Sequence, residues 1–191
     1  QLQPFISFLS TLIVRVFLSS SSSPVPSSLI KCRRPVSLIM FKKILVTIDG
    51  SDPAKHALGF GVDLAERDGA ELVVLTVVPT MPIFNAGEGE LLSYSRFLDD
   101  LEQFHEKLLD EAKRDLQRDH GGLKVITLLR KGSPARNIVE AAGDEEVDLI
   151  VLGNRGTGGI ITWMLGSTSR SVAEACTVPV LIVKDRKYCE T

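Results

Sequence analysis

Cysteine is scarce in this sequence, and its few cysteines show no pairing pattern. The 191 residues contain three of them, Cys32, Cys176 and Cys189, which lie far apart and form no C-x-x-C motif. A small domain held together by disulfides needs many paired cysteines, so that class of protein is not expected. Few, scattered thiols are typical of a protein from a reducing compartment.

Histidines with metal-ligand spacing and membrane-length apolar runs are also missing. The histidines show neither HxxxH nor HExxH spacing, and as isolated residues of helices or helix ends we expect them at the solvated surface: His56, His105 and His120. That pattern predicts no zinc site. The apolar run from Phe5 to Leu18 is interrupted by Arg15 and is shorter than the roughly 20 residues that cross a bilayer. No membrane span is therefore predicted.

The sequence lacks a basic excess as well. It contains 22 lysines and arginines against 24 aspartates and glutamates. Four of the bases and none of the acids precede residue 40, so the remainder carries 18 bases and 24 acids, a balance of −6. Binding to the phosphate backbone of nucleic acid needs a concentrated basic surface. We therefore expect no nucleic-acid partner, and any phosphate should be held by backbone amides and a few local charges.

Residues 1–39 differ in composition from the rest of the chain, because they are rich in serine and contain no acidic residue. Three interpretations remain open: a transit peptide, a signal peptide, or a segment that is not normally made. The third is suggested by Gln1 at the start and by Met40, which leads directly into the first predicted strand. In each case we expect this leader to be disordered or cleaved. If Met40 is the true start, the protein is cytoplasmic.

Residues 40–185 alternate short apolar runs with amphipathic segments, which predicts one α/β domain followed by a polar tail at 186–191. The predicted strands are 43–48, 72–78, 124–129, 147–152 and 180–183. The predicted helices are one capped by Asp52 and ended by Gly69, and three more at 91–118, 134–142 and 167–175. The longest helix carries an apolar stripe that we expect to be buried, formed by Phe97, Leu101, Phe104, Leu108 and Ala112.

The strands are apolar throughout rather than alternating, so both faces of each strand should be covered. Right-handed crossovers between such strands give a doubly wound, five-stranded parallel sheet. Ligands of such sheets collect beyond the carboxyl ends of the strands.

The loop after the fourth predicted strand carries the chemistry. It reads Gly153-Asn154-Arg155-Gly156, then nine residues, then Gly166-Ser167, a G-x2-G-x9-G-S pattern. Glycines let the backbone turn and approach a ligand closely, and N–H groups at the start of the following helix favour a phosphate. The competing interpretation is that the glycines only shape a loop and Ser167 is only a helix N-cap.

This pattern, with the order of elements over roughly residues 41–184, resembles the nucleotide-binding signature of the universal stress protein family. The resemblance implies a Rossmann-like fold with strand order 3-2-1-4-5 and ATP bound where strands one and four meet. It places Asp49 at the ribose and the backbone near Val77 at the adenine, although Asp49 as a turn former and Val77 as plain core remain alternatives. The phosphates would then lie against Gly153, Arg155, Gly156, Gly166, Ser167 and Thr168.

One departure from the family concerns the segment Thr157–Leu165, which has no basic residue where many members carry one. Arg155 and Arg170 are the nearest cations, which leaves two alternatives: a modest affinity for phosphate, or a divalent cation such as magnesium that offsets the phosphate charge. Trp163 and Met164 in this segment are expected to pack or to contact a partner.

Three functions remain open: a nucleotide-binding stress protein without committed chemistry, a slow ATPase or nucleotide-activating enzyme, and an interaction module independent of nucleotide. We favour binding, because the sequence has no G-x4-G-K loop, no G-x-G-x-x-G after the first strand and no evident catalytic base near the glycines. The apolar last strand, Val180–Val183, would be an exposed sheet edge, and family members commonly pair through it. We therefore expect a homodimer that pairs through this strand. We assign no catalytic residue.

Overall fold

The computed structural model describes residues 41–80, 88–157 and 165–184, with the side chains of residues 88–92 left out. Five strands alternate with four helices over these residues. Their bounds are β1 Lys43–Thr47, α1 Asp52–Asp68, β2 Glu71–Val78, α2 Glu88–Asp119, β3 Val125–Lys131, α3 Pro134–Asp144, β4 Leu149–Gly153, α4 Ser167–Ala175 and β5 Val180–Val183.

The strands form one parallel sheet in the order β3-β2-β1-β4-β5, which confirms the predicted fold and strand order. Strand β1 lies at the centre, between β2 and β4, and its Ile44, Leu45 and Val46 are fully buried. Burying one such side chain contributes about 1.5–3 kcal/mol. The sheet order reverses between β1 and β4, so their carboxyl ends border the crevice where ligands of this fold bind.

Each face of the sheet has its own core, because successive residues of a strand point to opposite sides. Ile44 and Val46 pack with residues of α1 and α2, whereas Leu45 packs with residues of α3 and α4. Helix α1 lies close to β1, since a β-carbon on Gly61 would overlap the side chain of Val46.

The ends of helix α1 follow from local capping. Ser51 is the N-cap, and its hydroxyl accepts a hydrogen bond from the N–H of Ala54 at 3.3 Å, with Pro53 in the first turn. Asp52, predicted to be the cap, is instead the first helical residue. The helix ends at Gly69 as expected, with a φ of 66° in the left-handed region that glycine adopts without strain.

The expected apolar stripe of α2 is partly wrong. Phe97 and Phe104 are 56% and 50% exposed. The buried positions of the described part of this helix are His105, Leu109 and Leu116, so the buried face is rotated relative to the stripe. The surface expectation for His105 is wrong for the same reason.

Candidate functional site

A cavity of about 450 Å³ opens at the carboxyl ends of β1, β2 and β4. This volume lies within the range of small-molecule sites in proteins. All eight residues that the sequence placed at the nucleotide line it: Asp49, Val77, Gly153, Arg155, Gly156, Gly166, Ser167 and Thr168. The fold therefore brings together residues that lie more than 100 positions apart in the chain.

Asp49 follows β1 and has two different surroundings at its two oxygens. Its Oδ1 accepts hydrogen bonds from the N–H of Ser51 at 3.0 Å and from the Ser51 hydroxyl at 2.6 Å. This is the turn-forming role that was the alternative for Asp49. Its Oδ2 lies on the other side, against Gly156. One carboxylate thus shapes the first loop and reaches the second.

Val77 lies on the part of β2 that extends beyond β1. The N–H of Ile48 bonds to the carbonyl of Leu75 at 2.9 Å, so the peptide groups of Leu75 point towards β1. In a strand the peptide directions repeat every second residue, and those of Val77 point to the same side, past the end of β1. The Val77 side chain packs against the core beneath α3 and α4. Its side chain serves the core while its peptide borders the cavity.

The glycines of the loop are not required by an unusual backbone conformation. Glycines with positive φ in the described residues are Gly50, Gly69 and Gly132, so Gly153 and Gly156 need no left-handed backbone. They are instead sites of close approach. A β-carbon at Gly153 would lie 2.8–2.9 Å from backbone atoms of Pro53 and Ala54, and one at Gly156 would overlap Asp49 Oδ2.

The amino terminus of α4 faces the cavity. Gly166 is its N-cap in an extended conformation, and a glycine has no side chain with which to cap the helix. The N–H of Gly166 bonds to the carbonyl of Asn154 at 2.8 Å, which ties the helix start to the glycine loop. Ser167 is exposed and Thr168 is half-buried, so their hydroxyls and N–H groups lie at the open end of the helix. Such a terminus carries partial positive charge and N–H groups that suit an anion.

Ser169 anchors this helix from inside. It is buried, and its hydroxyl donates to the carbonyl of Gly153 at 2.8 Å. The hydrogen bond fixes α4 on the end of β4. Ser169 also lines the cavity, and sequence reasoning had not singled it out.

Helix α2 supplies a wall of the cavity that sequence reasoning missed, formed by Leu101, Phe104 and His105. The spacing of three and four residues puts these side chains on one face of the helix. The rings of Phe104 and His105 pack edge to face, with centroids 5.4 Å apart. His105 is buried, and its Nδ1 shares a 2.7 Å hydrogen bond with the hydroxyl of Thr76. Burial lowers the pKa of His105, and the nearby carboxylate of Asp49 opposes that shift.

Because β2 and β4 lie on opposite sides of β1, the lining differs between the two ends of the cavity. Arg155, Thr157 and the start of α4 line the end near β4, and Val77, Leu101 and Phe104 line the end near β2. No group of three or more histidine, cysteine, aspartate or glutamate side chains converges anywhere in the described residues. Trp163 and Met164, expected to pack or to contact a partner, lie outside those residues.

Comparison with known proteins agrees with this architecture. A sequence profile of the universal stress protein family matches residues 40–184. The chain is 36% identical over 150 residues to the universal stress protein YxiE of Bacillus subtilis, covering 76% of this chain and all of that protein. It is 32% identical over 151 residues to the universal stress protein MJ0531 of Methanocaldococcus jannaschii, covering 78% of this chain and 85% of that protein.

A solved structure gives the same result. The universal stress protein UspA of Lactobacillus plantarum superposes with a TM-score of 0.64 at 31% identity, over 75% of this chain and 97% of that one. Within the described residues, no helix has the length and apolar character of a membrane span. The family profile, the sequence identity to relatives and the shared fold all agree. The chain therefore belongs to the universal stress protein family.

Proposed function

We propose that this protein binds ATP in the cavity at the carboxyl ends of β1 and β4 and acts as a nucleotide-binding regulator in a stress response. The observation that carries the proposal is the cavity itself. It lies where the sheet order reverses, and its lining joins the G-x2-G-x9-G-S loop to Asp49 and Val77.

The two ends of the cavity suit the two ends of a nucleotide. The apolar wall of Leu101 and Phe104 offers packing area to a base, and the peptide of Val77 offers it hydrogen bonds. Asp49 Oδ2 would accept hydrogen bonds from the ribose hydroxyls. At the other end, the free N–H groups of α4 and the hydroxyls of Ser167 and Thr168 would hold phosphates, with Arg155 nearby.

Magnesium would enter with the nucleotide. This ion is usually held by substrate phosphates, water and one or two carboxylates rather than by an all-protein cage. It would supply the positive charge that the segment Thr157–Leu165 lacks.

We propose binding without committed hydrolysis. A phosphoryl-transfer enzyme needs a group that positions or activates the attacking water near the phosphates. Two titratable side chains of the cavity could be considered for this role, and each already has a structural partner. Asp49 accepts a hydrogen bond from Ser51 in the turn after β1, and His105 is buried and hydrogen-bonded to Thr76. Release of inorganic phosphate from ATP, measured over hours, would support the ATPase alternative instead.

The protein is further proposed to be a cytoplasmic homodimer paired through β5. This strand is the end of the sheet next to β4, and its residues Val180, Leu181 and Ile182 are only half-buried. An apolar edge of this kind pairs readily with another strand.

The first test is to purify the full chain, denature it by heat and identify any released nucleotide by mass spectrometry. Calorimetric titration with ATP and magnesium would follow, on the wild type and on Gly156→Val. Valine at 156 would overlap Asp49, so we expect ATP binding to be abolished. Gly143→Val is the matched control, because a β-carbon at this exposed position on α3 would meet nothing within 4 Å. The absence of both co-purified nucleotide and binding heat in the wild type would refute the proposal and leave the β5 surface as the leading functional feature.

A further inference from the structure

Thr76 and His105 form a buried polar pair beside the cavity. Thr76 lies on β2 and is 1% exposed, and His105 lies on α2 and is 6% exposed. Their hydrogen bond of 2.7 Å joins residues 29 positions apart, so it fixes one helix face on one strand. A buried hydrogen bond of this kind is costly to lose, because it leaves a polar group unsatisfied.

The same turn of α2 also holds the loop after β1. Gly50, with a φ of 85°, is packed so closely against Phe104 that a β-carbon there would lie 3.3 Å from the ring. Phe104 in turn packs edge to face on His105. These contacts therefore fix three parts relative to one another: the Asp49 loop, the apolar wall and the Thr76–His105 pair.

Among the residues that the structure describes, few charged groups surround His105. Asp49 comes from the loop after β1, and Arg155 comes from the loop after β4; both line the cavity with it. On α2, Glu102 lies one turn earlier and pairs with Lys131 of β3 at 2.6 Å, while Glu106 and Lys107 are exposed. Asp49 is thus the charge to which a protonated His105 would respond most directly.

We propose that neutral His105 is a positioning residue for the nucleotide, acting through Thr76 and Phe104 to hold the cavity wall and to leave Asp49 available to the ribose. This inference rests on the proposed function. Protonation would put a charge in a desolvated position and would draw the carboxylate of Asp49 towards the imidazolium. Nucleotide affinity is therefore expected to fall as the pH falls.

The inference is tested by titrating ATP with magnesium into the full chain between about pH 8 and about pH 5.5, on either side of the usual histidine pKa. Three variants are compared with the wild type. His105→Asn keeps an amide near the position of Nδ1 but does not titrate, and His105→Leu removes the partner of Thr76. His56→Asn makes the same change at an exposed histidine of α1. Because the same ligand is titrated into every protein, protonation of the ATP phosphates affects all the pH profiles alike and cancels in the comparison.

We expect wild type and His56→Asn to lose affinity together on acidification, and His105→Asn to show a clearly flatter profile. At about pH 8, His105→Leu should bind about tenfold more weakly, the size of one buried hydrogen bond, and His105→Asn should restore most of that loss. If His105→Leu is insoluble, Thr76→Val removes the same hydrogen bond from the other side.

Three results would overturn the inference. The first is a pH profile of ATP affinity in His105→Asn equal to that of the wild type. The second is an ATP affinity of His105→Leu or Thr76→Val equal to that of the wild type. The third is an ATP affinity of the wild type that does not change with pH. A wild type that binds no ATP at any pH would be a different result, since it removes the proposed function and this inference with it.

Discussion

Gly156 lies directly against Asp49, so closely that a β-carbon at 156 would overlap Asp49 Oδ2. The other oxygen of the same carboxylate is held by Ser51, with hydrogen bonds of 2.6 and 3.0 Å. One carboxylate therefore contacts both the loop after β1 and the loop after β4.

Changing Asp49 should separate its charge from its role in the turn. Asp49→Asn can still accept from Ser51 through its Oδ1, so we expect stability close to that of the wild type. Its NH2 group then takes the place of Oδ2 and cannot accept from the ribose, so ATP should bind about five- to tenfold more weakly. Asp49→Ala should also lose about 1 kcal/mol of stability. Calorimetry and urea denaturation measure the two effects. Asp63→Asn, at an exposed site of α1, is the control, and equal ATP affinity in both Asn variants would contradict the ribose assignment.

Substitution of Gly153 should lower the free energy of unfolding much more than substitution of Gly156. A methyl group at 153 would meet the backbone of Pro53 and Ala54 at 2.8–2.9 Å, and backbone cannot rotate away as a side chain can. We expect Gly153→Ala to lower the free energy of unfolding by about 2–3 kcal/mol, measured in urea. Gly59→Ala on α1 meets nothing within 4 Å and should instead gain about 0.5–1 kcal/mol from helix propensity. Similar values for the two variants would show that α1 can move away from β4.

Stability without ligand should decrease in acid because of His105. Burial holds the pKa of His105 below its usual value in the folded protein, so the unfolded chain binds the proton first as the pH falls. The contribution is fully present above about pH 6.5 and is lost as the pH falls from there through the folded-state pKa. Urea denaturation at several pH values should show a smaller acid loss in His105→Asn. Identical slopes in the two proteins would mean that His105 is not the responsible group.

Ile182→Pro should separate the proposed dimer without dismantling the sheet. The carbonyls of Pro179 and Val183 accept hydrogen bonds from β4, so the peptide groups of Val180 and Ile182 point to the outer edge. Proline at 182 removes an outward N–H that the β4 ladder does not use. We expect a monomer by light scattering with the far-ultraviolet circular dichroism spectrum retained, whereas Leu181→Pro should unfold β5 itself. A wild-type dimer mass in Ile182→Pro would exclude pairing through this edge.

Much of the fold could be predicted because its boundaries have local causes. The start of α4 after Gly166 and the extent of β5 after Pro179 agree with the structure, since glycine and proline mark both places in the sequence. The N-cap of α1 was assigned one residue too late. Ser51 and Asp52 are both good capping residues, and Asp49 selects Ser51 by bonding to its N–H and hydroxyl. That selection depends on a contact that composition does not reveal.

The cavity wall formed by α2 could not be predicted from the apolar stripe of that helix. Phe97 and Phe104 repeat with helical spacing, yet both are half-exposed, and the buried face passes through His105. A polar residue interrupts the pattern there, and its partner Thr76 is on a different element. Leu109 and Leu116 are buried and follow His105 by four and eleven residues. This spacing puts all three on one face of the helix, so the buried face could be recognised only if a histidine were accepted as a core residue. The roles of the glycines were missed for a similar reason, since close approach between α1 and β4 is a tertiary property.

The placement of β1 between β2 and β4 also sets the order in which the site can be assembled. β1 pairs with β2, whose residues follow about 30 positions later in the chain. It can pair with β4 only after about 70 further residues have been made. During synthesis the half-sheet β3-β2-β1 can form before the glycine loop has left the ribosome. A nucleotide would therefore stabilise only the finished domain, by RT ln(1 + [L]/Kd), and could not help its amino-terminal half to fold. Destabilising changes in β1 or β2 should accordingly be harder to rescue with ligand during expression than in the purified protein.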